Sequence, residues 1–152
     1  MKLDQARTAL LFPGQGSQAV GMGRELAEQY PVAHAVFDQA DAILGFAFSK
    51  LMWEGPEADL NDTVNTQPAL YVHSQAAHRV FCDLFGGSAA AMAGHSLGEL
   101  SALTAAGALP FESGLRLVRK RGELMKKAGE RNPGSMAAIL NLGIPELEVV
   151  CA

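Results

Sequence analysis

The amino-acid sequence predicts an α/β domain with more helix than sheet. Two short apolar runs, TALLF at Thr8–Phe12 and AAAMAG at Ala89–Gly94, are each closed by a glycine-rich turn, the form of buried strands. Between and after them lie long stretches whose apolar residues recur at helical spacing. The 152 residues are 49% hydrophobic and 18% charged, a globular balance that excludes disordered and collagen-like classes. A chain of this length buries roughly 68–70% of its unfolded surface, enough for one core.

The elements follow in order. Pro13 and Gly14 end the first strand, and PGQGSQ continues as a loop. Helical stretches then run from Arg24 to Leu44, with Val36, Ala40, Ile43 and Leu44 at the spacing of one apolar face. Gly45, Gly55 and Pro56 punctuate short helices around Leu51 and Leu60. Thr66 is placed as the N-cap of the next helix, with Pro68 in its first turn; this helix reaches Phe85 and stops at Gly86-Gly87. AAAMAG would be helical on propensity, yet its place between a Gly-Gly stop and a Gly-rich turn makes it a strand. A helix from Leu97 to about Ala106 follows. The amphipathic stretch from Phe111 to about Ala128 turns Leu115, Val118, Leu124 and Met125 inward, and Pro133-Gly134 breaks it. Ser135–Leu140 (SMAAIL) reads as a third strand, and Pro145 opens a last helix. Strands alternating with helices are the pattern of a parallel sheet.

Charge and cysteine usage remove several function classes. Twelve Lys and Arg stand against sixteen Asp and Glu, a formal net charge of −4, so the chain is not a generally basic nucleic-acid binder. Cys82 and Cys151 lack CxxC spacing and a nearby histidine pair; they form neither a disulfide framework nor a zinc site and read as reduced thiols. No apolar run approaches the roughly 18 residues of a membrane span. Asp4 and Arg7 fall where a signal peptide needs its apolar stretch. The expectation is a cytoplasmic protein with no membrane partner and no metal.

Gly94-His95-Ser96-Leu97-Gly98 matches the G-x-S-x-G nucleophile elbow, between a predicted strand and a predicted helix. A serine on so sharp a turn needs small neighbours, because the backbone is tight and substrate must approach closely. The helix that follows aims its N-terminus at the reacting centre, where the Leu97 N–H can hold a developing oxyanion, one such donor being worth roughly 3 kcal/mol. An esterase of the α/β-hydrolase type fits poorly, since that fold places several strands before the elbow and only Thr8–Phe12 precedes it here. The upstream loop Gly14-Gln15-Gly16-Ser17-Gln18-Ala19 fits G-x-G-x-x-A. A dinucleotide site would also need a second strand ending in an acidic residue about 20 positions on. Asp38 and Asp41 instead lie on a predicted helix. Such a loop also offers backbone N–H groups to an anionic oxygen, and a plain structural turn is its third use.

PGQGSQ, NTQPAL at Asn65–Leu70, GHSLGE at Gly94–Glu99 and Arg121-Gly122 occur in this order. Together, over essentially the whole chain, they closely resemble the malonyl-CoA:acyl carrier protein transacylase family, relatives of the acyltransferase domains of polyketide and fatty-acid synthases. The resemblance implies a helix-rich large α/β subdomain with a short parallel sheet over residues 1–132. Residues 133–152 would start a ferredoxin-like small subdomain. It implies Ser96 as the acyl-carrying nucleophile, Gln15 and Leu97 as the oxyanion-hole amides, and Arg121 as the guanidinium binding the malonyl carboxylate. Gln67 and His95 would shape the pocket. Malonyl-CoA and acyl carrier protein would be the partners, with no redox or metal cofactor, in a monomer when full length. Leu100 stands where an aromatic residue is expected in the family. The family's catalytic histidine lies well downstream of the serine, so the chain is expected to be a fragment of low activity.

The residues alone support Arg121 only in kind. A planar bidentate donor suits a carboxylate, and spacing does not separate Arg121 from Arg116, Arg119 or Arg131. His34, His73 and His78 read as surface or packing residues, and His95, beside the serine, should point its ring away from the hydroxyl. Seven of the twelve basic residues fall between Arg116 and Arg131, opposed there only by Glu123 and Glu130. Such a run suits an anionic partner, or equally a solvated helix face.

Overall fold

The computed structural model describes residues 3–86, 89–134, 139 and 141–151. After a short 3-10 turn at Gln5–Arg7 come β1 (Ala9–Phe12), α1 (Arg24–Gln29), α2 (Pro31–Leu44), α3 (Phe48–Glu54), α4 (Glu57–Asn61) and α5 (Thr63–Phe85). Then follow β2 (Ala91–Gly94), α6 (Leu97–Ala105), α7 (Phe111–Arg131) and α8 (Ile144–Cys151). The strands pair in parallel, from Ala9 opposite Ala91 to Phe12 opposite Gly94. Parallel strands need a long crossover, here the helices α1 to α5. The predicted class, helix-rich with a short parallel sheet, is the class observed. The predicted third strand at Ser135–Leu140 lies almost wholly outside the described residues. Helix α8 forms where Pro145 predicted it, with no buried residue.

The core sits between helices. Ala69, Leu70, Tyr71, Val72, Ala76 and Val80 of α5 are buried against Ala33, Val36, Phe37 and Ala40 of α2 and Leu115 and Val118 of α7. Ile43 and Leu44, predicted on the α2 face, are only partly buried, and Ala33 and Phe37 share that face with Val36 and Ala40. Pro31 starts α2 at its first turn, where a missing N–H is harmless.

Helix α5 begins earlier than predicted. Asp62, not Thr66, is the N-cap, accepting from the Val64 N–H at 3.0 Å. Thr66 instead donates its hydroxyl to the Leu60 carbonyl at 2.7 Å. Pro68 is therefore inside the helix, where it has no N–H for the carbonyl four residues back. That carbonyl, of Val64, accepts from Arg119 Nη1 of α7 at 3.3 Å.

Two glycines let α7 approach α5. A Cβ at Gly122 would lie 2.7 Å from the Thr63 carbonyl oxygen, and one at Gly114 would collide with the Tyr71 hydroxyl. They are spaced to share one face of α7. Leu115 and Val118 are buried as predicted, but Leu124 is 54% exposed. The face it was assigned to is occupied by glycine contacts, and Leu124 is turned toward an open cleft instead.

Candidate active site

The cleft lies between the elbow with α6 on one side and α7 on the other. Its lining includes Ser96, Glu99, Leu100, Leu117, Arg121 and Leu124, around a volume of about 760 Å³. Ser96 is the turn residue between β2 and α6, with φ 56° and ψ −108°. A non-glycine residue in the left-handed half of φ space is strained and persists only where its surroundings over-determine it.

Glycine supplies that determination. A Cβ at Gly98 would lie 2.2 Å from the Phe12 carbonyl oxygen, and one at Gly94 would overlap the Gly98 carbonyl group. The first turn of α6 therefore rests directly on the end of β1. The His95 N–H donates to the Phe12 carbonyl at 3.1 Å and the Gly98 N–H to the His95 carbonyl at 2.9 Å. The exposed His95 lies against buried Gly14, where an added Cβ would be 2.6 Å from its Nδ1. The elbow is thus tied to the Gly-rich loop.

That loop is braced from its other side. Gln15 Nε2 donates to Thr63 Oγ1 at 3.3 Å, the Gly16 N–H to Gln18 Oε1 at 2.8 Å, and Gln18 Nε2 to Asn61 Oδ1 at 2.8 Å. Neither the Gln15 nor the Leu97 backbone N–H has an acceptor among the described residues. Leu97 opens α6, where orphan donors and the helix dipole favour negative charge.

Arg121 reaches the serine. Its Nη2 donates to Ser96 Oγ at 2.8 Å and its Nη1 to Gln67 Oε1 at 2.7 Å. Gln67, fully buried on α5, donates from Nε2 to Met125 Sδ at 3.0 Å. The three other arginines left open by spacing are not at the serine. Arg116 pairs with Glu112 at 2.9 Å, Arg119 donates to Asn65 Oδ1 at 2.7 Å, and Arg131 is exposed at the end of α7. The sequence offers no signal for Gln67 as the partner of Arg121, since 54 residues separate them.

The upstream histidines stand elsewhere. His34 is exposed and bonds Asp38 at 2.9 Å. His73 and His78 are half-buried on α5, and burial holds both imidazoles below the usual histidine range, helped at His78 by Arg79. Among the described residues no imidazole hydrogen-bonds Ser96 Oγ.

A strained serine, backbone amides at Gln15 and Leu97 that have no acceptor among the described residues, and a guanidinium on the hydroxyl are the kinds of group that acyl transfer uses. The model of the acyl transferase domain matches residues 9–151. The chain belongs to the acyl transferase domain family. This acyl transferase domain is 45% identical over 143 residues to the malonyl CoA-acyl carrier protein transacylase of Escherichia coli K12, covering 94% of the chain and 46% of the relative. It is 48% identical over 145 residues to the protein of the same name from Bacillus subtilis 168, covering 95% and 45%. The crystal structure of FabD from Acinetobacter baumannii superposes with a TM-score of 0.86 at 44% identity, over 97% of this chain and 46% of that one. The chain spans about half the length of the curated relatives it matches. Among its described residues no helix is long and apolar enough to cross a membrane.

Proposed function

We propose that this acyl transferase domain serves the transfer of a malonyl group from malonyl-CoA to the phosphopantetheine thiol of acyl carrier protein, in the cytoplasm, for fatty-acid synthesis. The observation that carries the reading is the 2.8 Å contact between Arg121 Nη2 and Ser96 Oγ. A malonyl group has one methylene between its thioester carbonyl and a free carboxylate. A serine attacking the carbonyl therefore leaves the carboxylate within reach of a guanidinium that stands beside its hydroxyl. Acetyl-CoA has nothing for that cation to bind, and water-exposed lysine would lack the planar fork.

In the first step Ser96 Oγ bonds to the thioester carbon, the carbon–sulfur bond breaks, and the serine proton leaves with coenzyme A as its thiol. The oxyanion formed on the way is held by the Gln15 and Leu97 amides. In the second step the carrier thiol sulfur bonds to the acyl carbon, the ester bond to Oγ breaks, and the thiol proton returns to Ser96. A general base serves both steps; it is not among the described groups at Ser96. Removing one member of such a unit takes away most of the rate, so this chain by itself is expected to turn over slowly. The chemistry asks for no metal or redox group.

Incubation with malonyl-CoA or acetyl-CoA, followed by mass spectrometry of the tryptic peptides, tests the proposal. Malonyl on Ser96, lost in Ser96→Ala and far exceeding acetyl, is the expected result. Equal labelling by both thioesters would remove Arg121 from its role. Release of the acyl group to water with no preference for a carrier thiol would favour a serine hydrolase.

A further inference from the structure

Gln67 is fully buried on α5 and hydrogen-bonded to Arg121. We infer that it is the positioning residue that aims Arg121 at the acyl site and so sets the discrimination between carboxylated and plain acyl groups. The inference rests on the malonyl reading above and adds a residue to it.

The hydrogen bonds leave little freedom. An arginine has donors only, so the atom of Gln67 facing Arg121 Nη1 at 2.7 Å must be the amide oxygen. The amide nitrogen is then turned to Met125 Sδ at 3.0 Å. Gln67 is fully buried, so its side chain cannot swing into solvent and release the guanidinium. Its place on α5 is itself set. Gly122, the residue after Arg121, brings α7 against Thr63, and Arg119 closes the Val64 carbonyl that Pro68 leaves open. Arg121 is held at one nitrogen by a fully buried side chain, while Nη2 faces Ser96 Oγ at 2.8 Å. A flexible arginine without that partner would spread its charge over many rotamers, and a small acyl group could not collect them without an entropic cost.

A packing role and a positioning role predict different results. The experiment measures the Kd of malonyl-CoA and of acetyl-CoA by calorimetry on the full chain carrying Ser96→Ala, so that no acyl transfer intervenes. That protein is expected to prefer malonyl-CoA, and Arg121→Ala to abolish the preference. Gln67→Leu, which keeps the volume and removes the acceptor, is expected to cut the preference about ten- to a hundredfold, the worth of one hydrogen bond to a charged group. Acetyl-CoA binding should stay within about twofold of its starting value. Gln67→Glu, which keeps the shape and places a carboxylate on Arg121, is expected to abolish the preference, and it decides the matter if the leucine variant does not fold. In the Arg121→Ala background Gln67→Leu should not alter the ratio. Equal weakening of both thioesters by Gln67→Leu, or a ratio unchanged while Arg121→Ala destroys it, would overturn the positioning role. Absence of any malonyl preference in the Ser96→Ala protein would instead overturn the malonyl reading.

Discussion

The helical core and the strand-and-elbow region are held together in opposite ways. Around α5, large side chains are removed from water entirely: Phe37, Phe48, Met52, Leu60, Tyr71, Leu115 and Val118 are all at 0% exposure. In the sheet, Leu11 is 79% exposed and Ala91 and Ala93 of β2 are exposed as well. The elbow beside it is fixed by backbone contacts that admit no methyl group. Dispersed apolar burial gives the core its stability, whereas the geometry of Ser96 depends on a few close approaches between main-chain atoms. Stability and site geometry are therefore separable by substitution.

The largest expected effect on stability lies in the core. Phe37→Ala should lower the free energy of unfolding by about 3–5 kcal/mol, measured by urea or guanidinium titration, while Leu11→Ala on the exposed strand stays within about 0.5 kcal/mol. Similar losses from the two would show that the strand is buried in solution, and the contrast would fail.

Gly98→Ala tests the other half. Its added Cβ would fall 2.2 Å from the Phe12 carbonyl oxygen, so α6 must shift from β1, costing about 1–3 kcal/mol as other overpacked sites do. The signature is disproportion: helical circular dichroism is retained, whereas acyl labelling of Ser96 drops by about a hundredfold or more, because a small misplacement of reacting groups is enough. Labelling that falls only in step with stability would mean the elbow is not held by this contact.

The smallest effect is a pH dependence that belongs to the core side. Burial holds the His73 imidazole below its ordinary value, so on acidification the unfolded chain takes up that proton before the folded one does. Its contribution is complete above the unfolded value and declines as pH falls through that value toward the lower folded one. The melting temperature should therefore decrease between about pH 7 and about pH 5, and His73→Gln should flatten that slope. An identical slope in the variant would assign the dependence to other groups, with His78, shifted the same way, the first to substitute.

Much of this was readable in the residues. Both described strands, the α6 and α7 helices and the serine at the turn follow from local rules: apolar runs bounded by glycine, proline at helix starts, and small residues around a tight bend. The misplacements share one cause. Thr66 has the chemistry of an N-cap, yet Asp62 caps α5, because Arg119 from another helix relieves the carbonyl that Pro68 would strand. Leu124 has the polarity of a core residue, yet glycine contacts at Gly114 and Gly122 set the rotation of α7 and leave it in the cleft.

By itself the sequence determined the helix-rich class, the parallel strands and the one serine able to occupy a bend between strand and helix, since those depend on the chain's own sterics over a few residues. Spacing left four arginines open and only the family resemblance pointed to Arg121; the tertiary structure decided that Arg121 reaches that serine and which buried amide holds it there. Those outcomes depend on how closely α7 crosses α5 and at what rotation, a packing quantity shared by residues far apart in the chain and carried by no local pattern.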